Sequence, residues 1–186
     1  MILSALIAGS ALFLLAPAAN ADAPATSPAA AEFEVEFLEM MIDHHQMALH
    51  MSDLCLEKAV HDDLVALCGR IAESQAAEIE EMQGWLRDWY GIEHEPAMDD
   101  PAHHDQMMEL EKLSGEEFEI AFLQMMSEHH AMAVEEGIQC LGRAEHRELR
   151  TLCREIVATQ VREIALMERW LCRRYGDCRF TYLRRA

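Results

Sequence analysis

Positive charge is what this sequence has least of. Its 186 residues carry 15 Lys and Arg against 34 Asp and Glu, for a formal charge of -19. A surface of that sign repels phosphate, so nucleic acid is not expected as a partner. It attracts cations, and it also keeps a chain soluble. Catalytic signatures are missing too. There is no H-E-x-x-H motif, no nucleophile elbow and no phosphate-binding loop. No His has a Glu three residues before it, so the E-x-x-H pairs of di-iron carboxylate bundles are absent. No segment alternates with the period of a strand, which points to an all-α chain. An enzyme is therefore not the expected reading. A metal-dependent oxidase is the one catalytic alternative the pattern leaves open.

Half of the residues are hydrophobic and the length suits one domain with a sizeable core. Residues 1–21 read as a secretory signal. An apolar, small-residue-rich run over 2–15 precedes Ala19-Asn20-Ala21, an A-x-A-like cleavage site before Asp22. The run lacks the Lys or Arg that normally precedes it, and it is short for a membrane span. The expectation is a periplasmic or secreted protein with no stable span in the mature chain. Six Cys, an even number, suit an oxidising compartment. Residues 22–31, rich in Ala, Pro, Ser and Thr, read as a flexible linker.

The rest of the chain is written twice. Phe37 to Ala48 returns 85 positions later as Phe122 to Ala133, and the match continues without a gap. Cys55, His61, Cys68, Gln75, Glu78, Met82 and Trp85 return as Cys140, His146, Cys153, Gln160, Glu163, Met167 and Trp170. Helical periodicity predicts helices over about 32–58, 62–90, 116–141 and 145–175. Gly91 and Gly176 stand where helix-ending glycines belong, and Ser114 is a candidate cap for the third helix. Short connections within each copy make two antiparallel hairpins, over 32–91 and 115–186. A crossover over 92–114, holding Pro96, Pro101 and room for a short helix near 102–112, joins them. The expected architecture is a four-helix bundle with a pseudo-two-fold axis.

The cysteines supply a register. Sequence alone permits 15 connectivities. The repeat favours Cys55–Cys68 and Cys140–Cys153 near the two hairpin turns, leaving Cys172–Cys178 to close a C-terminal loop. That register puts His45 opposite Glu78 and His130 opposite Glu163, flanked by Met41 and Met82 and by Met126 and Met167. A buried carboxylate needs a partner. The pairs are either hydrogen-bonded clamps, or ligands of a core metal, or metal-binding histidines oriented by glutamate. Met40, His44, Met47 and Met51 share a neighbouring face, and Met125, His129 and Met132 repeat it. Imidazole with thioether is the donor mix that selects copper, Cu(I) above all. A Met stripe is more often core than ligand, but these stripes contain histidines and recur. The first candidate ligands are His44, His45, His129 and His130. Met40, Met41, Met47, Met125, Met126 and Met132 follow, with Glu78 and Glu163 ligating or orienting. His103-His104-Asp105-Gln106-Met107-Met108 in the crossover has the same flavour. His61, His94 and His146 read as incidental. The structural alternative is an interaction module with Met as core filler and no tight metal. The pattern leaves homo-oligomerisation open.

These residues resemble the DUF305 family of exported bacterial proteins. The resemblance rests on Phe37, Met41, Ile42, His44, His45 and Ala48, then Gln75, Glu78, Ile79, Met82, Trp85 and Leu86. The second copy carries Phe122, Met126, His129, His130 and Ala133, then Gln160, Glu163, Ile164, Met167, Trp170 and Leu171, with Ser127 departing from the usual Ile. The likeness covers roughly residues 32–175. It implies a ferritin-like helical bundle and, from members associated with copper binding and tolerance in the periplasm, copper as the metal. It does not imply di-iron chemistry, whose ligand motif is absent.

Overall fold

The Ser27 hydroxyl accepts a hydrogen bond from the Ala30 N–H, and Pro28 follows it, so the first long helix starts there and runs Pro28–Lys58 (α1). Proline suits a first turn because its missing N–H is not needed there and its φ is already helical. The computed structural model describes residues 23–97 and 101–178; the signal segment 1–21 lies outside them. The other helices are Asp62–Trp85 (α2), Pro101–Lys112 (α3), Gly115–Arg143 (α4) and Arg147–Tyr175 (α5). A π turn, Leu86–Tyr90, continues α2. Gly91 and Gly176 end the two hairpins at φ 67° and 76°, a backbone region closed to most side chains. Ser114 occupies the cap position of α4, but its side chain makes no capping bond. Among the described residues no helix is long and apolar enough to cross a membrane.

The helices form a four-helix bundle with the crossover helix α3 laid against it. α1 packs on α2 and on α4, and α4 packs on α5. Disulfides join Cys55 to Cys68, Cys140 to Cys153 and Cys172 to Cys178, the pairs the repeat favours. Two apolar cores result. One holds Phe33, Phe37, Leu38, Met41, Met82, Leu149 and Ile156. The other holds their mates Phe118, Phe122, Leu123, Met126, Met167, Leu64 and Ile71. Between them, residues 43–46, 72–78, 127–132 and 157–163 contribute to neither core. The bundle therefore has a polar waist, and the paired histidines of both copies fall in it. Gly137 lies at a tight contact between α4 and α5, since a Cβ there would sit 2.8 Å from Val157 Cγ2.

The reading of residues 22–31 as a flexible linker is corrected. Helix α1 takes up 28–31, and residues 23–26 dock on the turn of the second hairpin and on Tyr90 of the first. His146 Nε2 meets the Ala23 carbonyl at 2.9 Å, the Ala25 N–H reaches the Tyr90 hydroxyl, and Thr26 donates twice to Glu145. Hydrogen bonds from Thr26 and then Ser27 hold the exposed Glu145 carboxyl down to about 2.

The two hairpins also exchange buried carboxylates. Glu34 on α1 accepts the N–H groups of Glu145 and His146, at 2.7 and 3.0 Å, from the far hairpin's turn. Its other oxygen takes the Tyr90 hydroxyl at 2.6 Å and His146 Nδ1. Glu119, its mate on α4, accepts from Val60 N, His61 N, His61 Nδ1 and the Tyr175 hydroxyl. Both carboxylates are fully buried. Burial pushes their pKa up, but four donors apiece outweigh it and hold each below the ordinary carboxylate value. The tyrosines move the other way, raised by burial and by the facing carboxylate. His61 and His146 cap no helix with their own side chains. A glutamate from the opposite copy instead binds the turn just before each helix together with its histidine ring, so these histidines are not incidental.

Candidate metal centre

At the waist, His45 Nε2 lies 2.6 Å from Glu78 Oε2 and His130 Nε2 lies 2.8 Å from Glu163 Oε2. Both imidazoles are fully buried, while the glutamates reach partly into solvent. A carboxylate only accepts hydrogen bonds, so each Nε2 carries a hydrogen, and a ring in its neutral form keeps its lone pair on Nδ1. Among the described residues neither Nδ1 has a hydrogen-bond partner, although both are buried. An imidazole held by a carboxylate on one nitrogen, with the other left over, is the arrangement common to metal-binding histidines. Gln75 and Gln160, also duplicated, are buried beside them in the same belt.

His44 and His129 are related by the repeat and stack on each other across the α1–α4 seam. Their ring centroids are 3.6 Å apart, with 27° between the planes. His45 sits 6.2 Å from His44 and His130 sits 6.3 Å from His129, so the four rings follow one another across the waist. The His–Glu pairs do not converge on one midplane ion. Among the described residues no three His, Cys, Asp or Glu side chains are gathered to hold a metal. Stacking explains part of this. Ring lone pairs lie in the ring plane, so one ion cannot lie in both planes of a face-to-face pair.

The donors that do gather are softer. A partly open cavity of about 110 Å³ is lined by Met47, Met51, Met107, Met125, Met132 and His129, with Gln106 and Glu128. Three elements supply the thioethers: α1 gives Met47 and Met51, α4 gives Met125 and Met132, and α3 gives Met107. Met132 is 45% exposed and marks the mouth. Met47, Met51 and Met107 belong to the second core as well as lining the cavity, whereas two candidate ligands, Met41 and Met126, lie in the cores without reaching it, and Met40 stands at the surface outside it.

Residues 34–171 match the family model for a domain of unknown function, DUF305. The chain belongs to the DUF305 family. It is similar to CopM in its Cu(I)-bound form, with 31% identity over 77% of this chain and 98% of that one and a TM-score of 0.69. CopM is also known in Cu(II)-bound and Ag-bound forms. A DUF305 fragment from Deinococcus radiodurans is 31% identical over 78% of this chain and 99% of that one, with a TM-score of 0.69. A DUF305 protein from Streptomyces coelicolor, described as secreted, is 29% identical over 76% and 92%, with a TM-score of 0.67. No match is found among curated proteins.

The sequence reading missed several residues that shape the DUF305 bundle around this site. Glu34 and Glu119, and Tyr90 and Tyr175, are 85 positions apart like the histidines they bind, so the repeat itself carried the signal. Asp43 was also passed over. It accepts His94 Nε2 and the Ala97 N–H, both at 2.8 Å, and pins the start of the crossover beside the waist. His94 thus has a structural partner. Met51 and Met107 fall outside the ranked candidate ligands, because the folding back of α3 is not visible in a local pattern.

Proposed function

We propose that this protein binds copper, held as Cu(I) by the thioether and imidazole donors of the waist, and sequesters or carries it after export. The observation that carries this reading is the cavity in which five methionines from three helices meet His129. Thioethers are weak donors for hard ions and good ones for Cu(I), so the donor set fits that metal class. Met47, Met125, Met132 and His129 would hold the ion. His45 and His130, turned by Glu78 and Glu163, would offer Nδ1. The negative charge draws cations in. The copper- and silver-bound forms of CopM support the metal class, and the three disulfides support an oxidising location. The reading is of a binding protein, and it includes no catalytic step.

A purely structural reading accounts for the His–Glu pairs but not for thioethers grouped at an open cavity, where leucine would pack as well. The discriminating experiment is a Cu(I) titration against a competing chelator. Met47→Leu/Met125→Leu/Met132→Leu keeps apolar volume and is expected to abolish tight binding. Glu78→Gln/Glu163→Gln is expected to weaken binding by roughly 10- to 100-fold, as loss of an orienting carboxylate does. Wild-type stoichiometry and affinity in the triple variant would sink the proposal.

A further inference from the structure

The crossover helix α3 is an unlikely piece of packing. Twelve residues are too few for a helix to be stable alone in water. Residues 104–106, 108, 109, 111 and 112 face solvent, leaving Met107 and Leu110 as the buried anchors among the side chains described. Its C-terminal end is tied by Lys58, whose ammonium donates to the carbonyls of Glu111 and Leu113. Leu110, 1% exposed, packs in the second core. Met107, 7% exposed, belongs to the same core but also lines the cavity, with thioethers from α1 and α4.

From this geometry we infer that Met107 is a soft-metal ligand and that α3 is a clasp whose docking is strengthened by the ion. The inference rests on the metal reading above and adds a ligand from outside the duplicated motif. Methionine is unbranched with three rotatable side-chain bonds, so its sulfur can follow an ion where leucine could only fill space. A monovalent soft ion held by Met107 together with Met47 and Met125 would cross-link α3, α1 and α4. Binding to the docked form alone then favours docking by mass action. Met108, the next residue, points to solvent and lines no part of the cavity, so it provides a matched control.

The test uses the full mature chain and Ag(I), a redox-inert soft ion. Affinity is read by chelator competition, and hydrogen exchange is followed over residues 101–112. The wild type is expected to bind Ag(I) and to show slowed exchange in α3. Met107→Leu is expected to lose at least about 10-fold in affinity, the smallest loss seen even for partners one step removed from a metal. It should also lose the slowed exchange. Met108→Leu should change neither. Wild-type affinity with intact α3 protection in Met107→Leu overturns the inference, as does an equal loss in Met108→Leu. If Met107→Leu does not fold, the wild type decides alone. Ag(I) binding with unchanged exchange in α3 then refutes the clasp. Absence of Ag(I) binding in the wild type refutes the underlying metal reading, a distinguishable result.

Discussion

Removing Glu34 should nearly unlatch one end of the bundle. In the native fold its carboxylate is wholly buried and satisfies four donors: two turn N–H groups, the Tyr90 hydroxyl at 2.6 Å and His146 Nδ1. Glu34→Ala strands all of them. A buried donor without a partner costs about 1–3 kcal/mol. Tyr90 is only partly buried and can turn to water, and the turn can admit a water to one N–H. With two donors left uncompensated, the expected loss is about 3–5 kcal/mol, the scale for breaking a buried charged pair. That is a large share of the roughly 5–15 kcal/mol that holds a domain together. At about 2–4 °C per kcal/mol for a domain of this size, Tm should fall by about 6–20 °C.

The assay is urea unfolding with disulfides intact, followed by far-UV circular dichroism and by tryptophan fluorescence. Trp89 reports locally because its ring stacks 3.8 Å from that of His146. Glu34→Gln should cost less, since its amide oxygen still accepts while its NH2 group confronts donors. Tyr90→Phe should couple to Glu34→Ala, with the double variant falling short of the sum by about 0.5–3 kcal/mol. A loss below about 1 kcal/mol for Glu34→Ala, or full additivity with Tyr90→Phe, would refute the reasoning.

Two further predictions concern the same frame. Glu34 and Glu119 have folded pKa values below the ordinary 4.5, so their stabilisation is complete above that pH and is lost as pH falls. Tyr90 and Tyr175 are raised above the ordinary 10.0, so theirs is complete below pH 10.0 and is lost as pH rises through the shifted value. A plot of Tm against pH should show a plateau between these limbs, and Glu34→Ala/Glu119→Ala should flatten the acid limb and weaken the alkaline one, where burial of the tyrosines remains; unaltered limbs would count against the assignment. At the α4–α5 contact, Gly137→Ala places a methyl 2.8 Å from Val157 Cγ2, on a β-branched side chain with little freedom in a helix. Overpacking of about 1–3 kcal/mol should exceed the roughly 1 kcal/mol of helix propensity gained. Val157→Ala in the same chain should restore Tm, because the first copy carries the small pair Ser52 and Ala72 at these positions.

Much of this was legible because the sequence contains its own alignment. The +85 repeat gave the helices, and the cysteines gave a register good enough to place His45 on Glu78 and His130 on Glu163. Contacts within one hairpin follow from local spacing in this way. Contacts between hairpins do not, since no cysteine pair or short turn fixes how one copy lies on the other. The Glu34–His146 and Glu119–His61 bonds, the His44–His129 stack and the meeting of Met47 with Met125 all belong to that second class. The start of α1 was a different miss. Ser27-Pro28 is a readable cap and first turn, outweighed in the reading by the surrounding Ala, Pro and Thr.

Duplication should give two of everything, yet the residues lining the thioether cavity are not matched donor for donor by their mates. Those mates are Met40, Asp43, His44, Met47, Met132 and Glu136. Here Glu136 replaces Met51, and Asp43 is already engaged by His94 and the Ala97 N–H. The crossover is the reason the two faces can differ. A two-fold axis can relate hairpin to hairpin, but one covalent segment joining them has no mate. Residues 94–97 lie against the Asp43 side, and α3 brings Met107 to the Glu128 side. Each face therefore packs against a different neighbour. A carboxylate–histidine strap lies over one half and softer donors gather at the other, so a doubled motif presents two unlike faces.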